Sequence, residues 1–182
     1  MASTLVLLSG GVDSATALAT LVRTNELIST LFFSFGQPAV EDERRAAKSI
    51  SDYYGVSLKV LDIVGATFGI GEIRGRNALL VHGALLVAPR GPTTIVIGIH
   101  AGTAYPDCSD SFINLMQKSL DFHTNGEVTL AAPFLLHSKA DIFNLAQACQ
   151  VPLELTYSCE RGGGPCGSCL SCIDRRYVNA VD

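Results

Sequence analysis

Short apolar runs alternate along this chain with longer stretches in which apolar residues return every three or four positions. The runs predict β-strands at 4–9, 28–35, 56–62, 93–99 and 128–132. The longer stretches predict helices at 14–24, 38–54, 76–88, 109–122 and 138–149. In the first helix the stripe is Ala15, Leu18, Ala19 and Val22. Pro38 suits the first turn of the second helix, with Glu41 and Asp42 close to the positive end of its dipole. Gly55 suits the C-cap of that helix. Thr94-Ile95-Val96-Ile97 reads as a strand covered on both faces, whereas Val56 to Asp62 alternates only partly.

Strand and helix alternate throughout, and this order predicts an α/β fold: a doubly wound, parallel, five-stranded sheet with helices on both faces. Ligands bind such sheets at the carboxyl ends of the strands. Residues 9–14, 34–37, 74–77 and 100–108 fall at or near those ends. No repeat, low-complexity segment or linker breaks the pattern, so 1–182 reads as one domain. Residues 156–182, which hold a cysteine knuckle and a short helix through Arg175 and Tyr177, read as its C-terminal appendage.

One turn changes the picture from fold to chemistry. Thr4-Leu5-Val6-Leu7-Leu8 runs straight into Ser9-Gly10-Gly11-Val12-Asp13-Ser14 and then into a helix. Glycines let backbone N–H groups close on an anion, and the helix N-terminus adds partial positive charge. No Gly-Lys-Ser/Thr follows, so the turn is not a Walker A loop. It also lacks the third glycine of a dinucleotide fingerprint.

Composition narrows the partners. Hydrophobic residues make up 48% of the 182 and charged residues only 16%. Such a chain suits a compact enzyme or an oligomer with buried faces, and a homodimer is expected. The net charge is −4 and no basic run occurs, which argues against direct nucleic-acid binding. The start carries no basic n-region, and the apolar stretch at 78–88 is broken by His82 and Gly83, so a cytoplasmic protein with no membrane contact is expected.

Four of the six cysteines crowd together as Cys159-x6-Cys166-x2-Cys169-x2-Cys172. In a cytosolic chain that clustering favours a metal over disulfides. Two C-x-x-C steps suit a closed tetrahedral zinc site, while redox or iron–sulfur roles and unliganded thiols stay open as alternatives. Arg161, Arg175 and Arg176 are placed to soften the charge of a zinc tetrathiolate.

The hexapeptide SGGVDS resembles the PP-loop of the ATP pyrophosphatases, whose fold is of the adenine nucleotide alpha-hydrolase, HUP-like, kind. Further motifs follow in one order: Gly75-Arg76-Asn77, Gly98-Ile99-His100-Ala101, Tyr105-Pro106-Asp107-Cys108, Ser138-Lys139-Ala140-Asp141, then Thr156-Tyr157-Ser158-Cys159 and the knuckle. That order resembles the 7-cyano-7-deazaguanine synthase family of the queuosine pathway over almost the whole chain. The resemblance implies ATP, Mg2+ and Zn2+ as cofactors. It implies ATP binding by Leu8, Ser9, Gly10, Gly11, Val12, Asp13 and Ser14, with Asp13 near the magnesium. Asp13, Ser14 and Lys139 are the expected catalytic residues. Arg76, Asn77, Tyr105 and Asp107 are the expected substrate residues, and Cys159, Cys166, Cys169 and Cys172 the zinc ligands. The implied reaction adenylates the carboxylate of 7-carboxy-7-deazaguanine, releases pyrophosphate, and passes the acyl group to ammonia on the way to the nitrile. Bland readings stay open for some of these: a surface lysine for Lys139, a helix start for Arg76 and Asn77, and a Pro-Asp turn for Asp107.

The chain departs from the family at one face. Gln-Arg-His reads Gln37-Pro38-Ala39, Arg74 replaces a proline before Gly75, and only about a dozen residues separate Asp62 from Gly75. The loop before Tyr105 is also short. These changes leave a second reading, in which a protein or other macromolecular amine accepts the acyl group as an amide. A non-catalytic nucleotide-binding module is the reading of another class.

Overall fold

The computed structural model describes residues 2–24, 27–100 and 105–179. Ala101, the last residue of one matched motif, and the loop before Tyr105 lie outside them. The elements are β1 (Ser3–Leu7), α1 (Val12–Leu21), β2 (Leu27–Ser34), α2 (Val40–Tyr54), β3 (Ser57–Asp62), α3 (Arg76–Val87), β4 (Thr93–Val96), α4 (Asp110–Thr124), β5 (Val128–Ala131), α5 (Lys139–Ala148), a 3-10 turn (Leu153–Leu155) and α6 (Leu170–Asn179). All strand pairs are parallel, in the order β3-β2-β1-β4-β5. The chain therefore winds outward from β1 to β3 and returns to the other side of β1 as β4. That reversal opens a crevice above the carboxyl ends of β1 and β4.

The pleat of β1 divides the core. Leu5 and Leu7 face a layer closed by Val81 and Ala84 of α3 and Met116 and Leu120 of α4. Val6 and Leu8 face a layer closed by α1, by Ala47 and Ile50 of α2, and by Ile142, Phe143 and Ala146 of α5. Leu5, Val6, Leu8, Phe32 and Ile95 are each at most 1% exposed. Burying a side chain of this kind contributes about 1.5–3 kcal/mol, so the three central strands anchor the fold. β3 is an edge strand with Val60 41% exposed, which explains its incomplete alternation.

Two helix starts shift by two residues from the sequence expectation. α1 begins at Val12 rather than residue 14, because Gly11 in extended conformation is its N-cap. Pro38 lies in the turn before α2, not in its first helical turn. The Gln37 side chain closes the end of β2, and Val40 N–H donates to Gln37 O at 3.2 Å, so the helix starts only at Val40. Gly55 is the left-handed C-cap of α2, at φ 65°.

Candidate active site

A cleft of about 330 Å³ opens at the β1/β4 crevice. Its floor is the carboxyl ends of β1, β2 and β4, and the Ser9–Ser14 turn forms one end. Gly10 takes φ +85°, and a Cβ there would lie 2.7 Å from Glu43 O and 2.8 Å from Ala46 Cβ, so only glycine lets the turn pass under α2. Gly11 caps α1 without a side-chain hydrogen bond, which leaves the first-turn N–H groups for an anion. Ser9 Oγ lies 3.1 Å from Ser14 Oγ, and Ser14 Oγ–H donates to Gly11 O at 3.0 Å. Gly98 presses on the far side of this turn: a Cβ there would lie 3.1 Å from Ser14 N.

Asp13, Lys139 and His100 meet over the turn. α5 starts with a capping box in which Ser138 Oγ accepts from Asp141 N–H and Asp141 Oδ2 accepts from Ser138 N–H. The box fixes Lys139 at the first helical position, and its Nζ donates to Asp13 Oδ2 at 2.6 Å. His100 Nε2 is 3.9 Å from the same oxygen. Burial, then the Lys139 charge, push the imidazole below its ordinary value, with Asp13 and Asp174 pulling the other way. Asp13 Oδ1 is buried with no hydrogen-bond partner among the described residues. A carboxylate oxygen cannot stay desolvated and unpartnered without cost, and a bound divalent cation is the partner its position suits.

The expected substrate residues divide into two groups. Arg76 and Asn77 line the cleft at the start of α3. Tyr105 and Asp107 stand behind them. Asp107 Oδ2 accepts from Asn77 N–H at 3.3 Å and Asp107 O from Asn77 Nδ2–H at 3.1 Å, so Asp107 ties the YPDC loop to the start of α3. Tyr105 packs on the core, and Cys108 is buried 3.8 Å from Asn77 Nδ2.

Glu43, which belongs to none of the sequence motifs, also lines the cleft. Gln37 Nε2–H donates to its Oε2 at 3.0 Å. Burial pushes the Glu43 carboxyl above the usual carboxylate range, against the Gln37 hydrogen bond and the Arg76 charge. The only signal in the sequence was the neighbouring Gln37; nothing in the spacing of α2 singles out Glu43.

The segment read as an appendage forms a wall of the cleft through Tyr157, Ser158, Glu160, Ser171 and Asp174. Two bonds dock it. Tyr157 N–H donates to Gly10 O at 2.9 Å, and Gly163 N–H donates to Asp42 Oδ2 at 2.7 Å. The sulfurs of Cys159, Cys166, Cys169 and Cys172 lie within 4.8 Å of one another. Four thiolates about 2.3 Å from one zinc ion stand ~3.8 Å apart, so the group fits that ion. N–H groups of Cys166 and Cys169 donate to Cys159 Sγ and Cys166 Sγ, each at 3.4 Å. Backbone N–H groups, Ser168 first, pull the Cys166 thiol down to about 5. The Arg175 guanidinium feels the Cys172 charge and also donates to Thr156 Oγ1, to Ser158 Oγ at 3.2 Å and to Leu153 O at 2.5 Å, locking α6 onto the 3-10 turn. Arg176 Nη2 donates to Gly167 O at 2.7 Å.

The family model described as "Queuosine biosynthesis protein QueC" matches residues 3–70 and 67–179 of this chain. The chain belongs to the QueC family. Curated relatives named 7-cyano-7-deazaguanine synthase agree. The one from Methanoculleus marisnigri is 33% identical across 97% of this chain and 93% of its own length. The one from Methanospirillum hungatei is 34% identical across 90% of this chain and 89% of its own. Among solved structures, the U34-tRNA thiolase NcsA from Methanococcus maripaludis shares the fold at a TM-score of 0.54, with 16% identity, over 100% of this chain and 64% of that one. In this QueC-family chain the Ser9–Ser14 turn, Arg76-Asn77, Gly98-Ile99, Lys139 and Tyr157-Ser158 all line one cleft, while the Tyr105–Cys108 motif stands behind its wall. No helix among the described residues is long and apolar enough to cross a membrane.

Proposed function

We propose that this protein adenylates the carboxylate of 7-carboxy-7-deazaguanine with ATP and passes the acyl group to ammonia, ending at 7-cyano-7-deazaguanine. The observation that carries the reading is the Asp13–Lys139 pair poised over an anion-binding turn, in a chain of the QueC family. A substrate carboxylate oxygen attacks the α-phosphorus, the bond to the bridging oxygen of the β-phosphate breaks, and pyrophosphate leaves. Ammonia attacks the acyl carbon, AMP leaves, and the nitrogen gives up a proton to form the amide. With a second ATP the amide oxygen attacks the α-phosphorus and pyrophosphate leaves; loss of AMP and of the remaining nitrogen protons gives the nitrile.

In this reading Ser9, Gly10, Gly11, Val12 and Ser14 hold the polyphosphate through N–H and hydroxyl donors, and Leu8 shapes the floor. Lys139 adds charge where it builds on the phosphate oxygens. Asp13, with its unpartnered Oδ1, holds Mg2+, which neutralises phosphate charge when bound. The four cysteines hold Zn2+ as a structural ion. Arg76 and Asn77 contact the ligands directly, Asp107 holds Asn77 in place, and Tyr105 anchors that loop on the core. A homodimer belongs to the same proposal, supported by the exposed Leu79 and Leu86 of α3 and Leu115 and Phe122 of α4, helices joined by a His82 Nε2···Ser119 Oγ contact of 2.8 Å.

The test is mass spectrometry of the products from ATP, magnesium, the deazaguanine acid and ammonia. AMP, pyrophosphate and nitrile are expected. ADP and phosphate would overturn the PP-loop assignment, and no turnover with intact ATP binding would point to a nucleotide-binding module. AMP release that stops at hydrolysed acid, until an amine on a protein is supplied, would move the acceptor from ammonia to a macromolecule.

A further inference from the structure

The cleft holds a second pair of charges away from Asp13 and Lys139. Glu43 comes from the first turn of α2 and Arg76 opens α3, so they reach over the end of β2 from opposite layers of the sheet. Both line the cleft, yet no ion pair within 4.0 Å joins them among the described residues. Among the described residues Glu43 Oε2 accepts one hydrogen bond, from Gln37 Nε2, and its Oε1 accepts none. Gln37 is itself fixed at both ends of its amide: Oε1 accepts from Phe35 N–H at 2.8 Å and Nε2 also donates to Phe33 O at 2.9 Å. Among the described residues the Arg76 guanidinium makes one long hydrogen bond, Nε to Asn77 Oδ1 at 3.3 Å, and neither Nη group has a partner. Phe33, Phe35 and Leu80 supply apolar surface on the same stretch of wall.

A carboxylate and a guanidinium facing one apolar slot gain most by closing on each other or on a ligand that fits between them. Here they stay apart. A ligand edge with a hydrogen donor next to an acceptor satisfies both at once, and a flat ring suits the apolar walls. We infer that Glu43 and Arg76 read the edge of a purine-type ring. The carboxylate accepts from an exocyclic amino group, and the guanidinium donates to the unprotonated ring nitrogen beside it. The inference rests on the proposed reading that the cleft takes ATP and a deazaguanine acid, each of which carries such an edge.

Calorimetric titration of the full-length, zinc-loaded protein separates the two sources. ATP and 7-carboxy-7-deazaguanine are titrated singly into wild type and Glu43→Ala, along with analogues that lack the exocyclic amino group: purine riboside triphosphate and the 2-desamino acid. Glu43→Ala should lose roughly 10- to 100-fold on one ligand and leave the other within about twofold. Wild type should lose a similar factor on the desamino analogue of that same ligand. A loss on ATP assigns the pair to adenine, and a loss on the acid assigns it to the deazaguanine. Equal weakening of both ligands, or of neither, overturns the inference. The analogue titrations use wild type, so they decide the question even where the variant folds poorly: equal binding of both analogues and their parents overturns it. Wild type that binds neither parent ligand overturns the proposed function itself.

Discussion

Lys139 Nζ sits 2.6 Å from Asp13 Oδ2, although the two residues stand 126 positions apart in the chain. The pair joins the first turn of α1 to the first turn of α5, and those two helices pack side by side in one layer. Asp13→Ala and Lys139→Met should each reduce pyrophosphate release roughly 100- to 1,000-fold, as loss of a preorganised charge does. The double variant should cost much less than the product of the two, since each partner works through the other. Multiplicative losses would mean that Asp13 and Lys139 act independently.

Gly10 should tolerate no side chain. Gly10→Ala combines a φ of +85° with a Cβ 2.7 Å from Glu43 O. We expect a loss of roughly 2–5 kcal/mol from strain and overpacking together. Gly91 has φ +94° but open space around its Cβ, so Gly91→Ala should lose only the backbone part, about 1–2 kcal/mol. Urea midpoints of the two variants make the comparison, and equal losses would remove the steric argument.

Elemental analysis should find one zinc per chain, absent from Cys169→Ser. Because Tyr157 N–H holds Gly10 O and the knuckle walls the cleft, metal removal should also weaken ATP binding while the sheet stays folded. ATP affinity unchanged after chelation would restore the knuckle to a simple appendage.

Asp107→Asn should weaken the deazaguanine acid far more than ATP, because Asn77 N–H loses a charged acceptor at the cleft wall. Replacing a charged hydrogen-bond partner of this kind typically costs about 1–3 kcal/mol. Equal weakening of both ligands by titration calorimetry would indicate that the YPDC loop is needed only for folding.

His100 predicts an acid-side loss of stability. Its folded pKa lies below the ordinary 6.5, chiefly through burial, so between the folded value and 6.5 the unfolded chain carries the extra proton. Stability should therefore fall as pH drops through 6.5 and level off below the folded pKa. Urea midpoints at pH 7.5 and 5.5 should differ more for wild type than for His100→Gln. An identical pH dependence in the two proteins would exclude the imidazole as the source.

The elements and the list of chemical motifs are legible in the order of residues alone. Apolar runs such as Thr94–Ile97 are long enough to declare strands, and SGGVDS and the four cysteines are local devices whose chemistry sits in adjacent residues. The alternation of those elements also determined the parallel sheet, since parallel strands need crossovers. Tertiary structure decided what faces the cleft. Asp107 belongs to a quoted motif, yet hydrogen bonds to Asn77 hold it behind the wall, and no local signal reports that contact across 30 residues. Glu43 belongs to no motif, and only the packing of α2 against Gly10 carries its side chain to the end of β2. The knuckle reads as a self-contained metal loop, but hydrogen bonds from Tyr157 to Gly10 and from Gly163 to Asp42 hold it over the Ser9–Ser14 turn. Spacing along a chain fixes chemistry within a turn or a helix; which side chains share a cleft depends on how layers pack, and that is set by contacts between residues far apart in sequence.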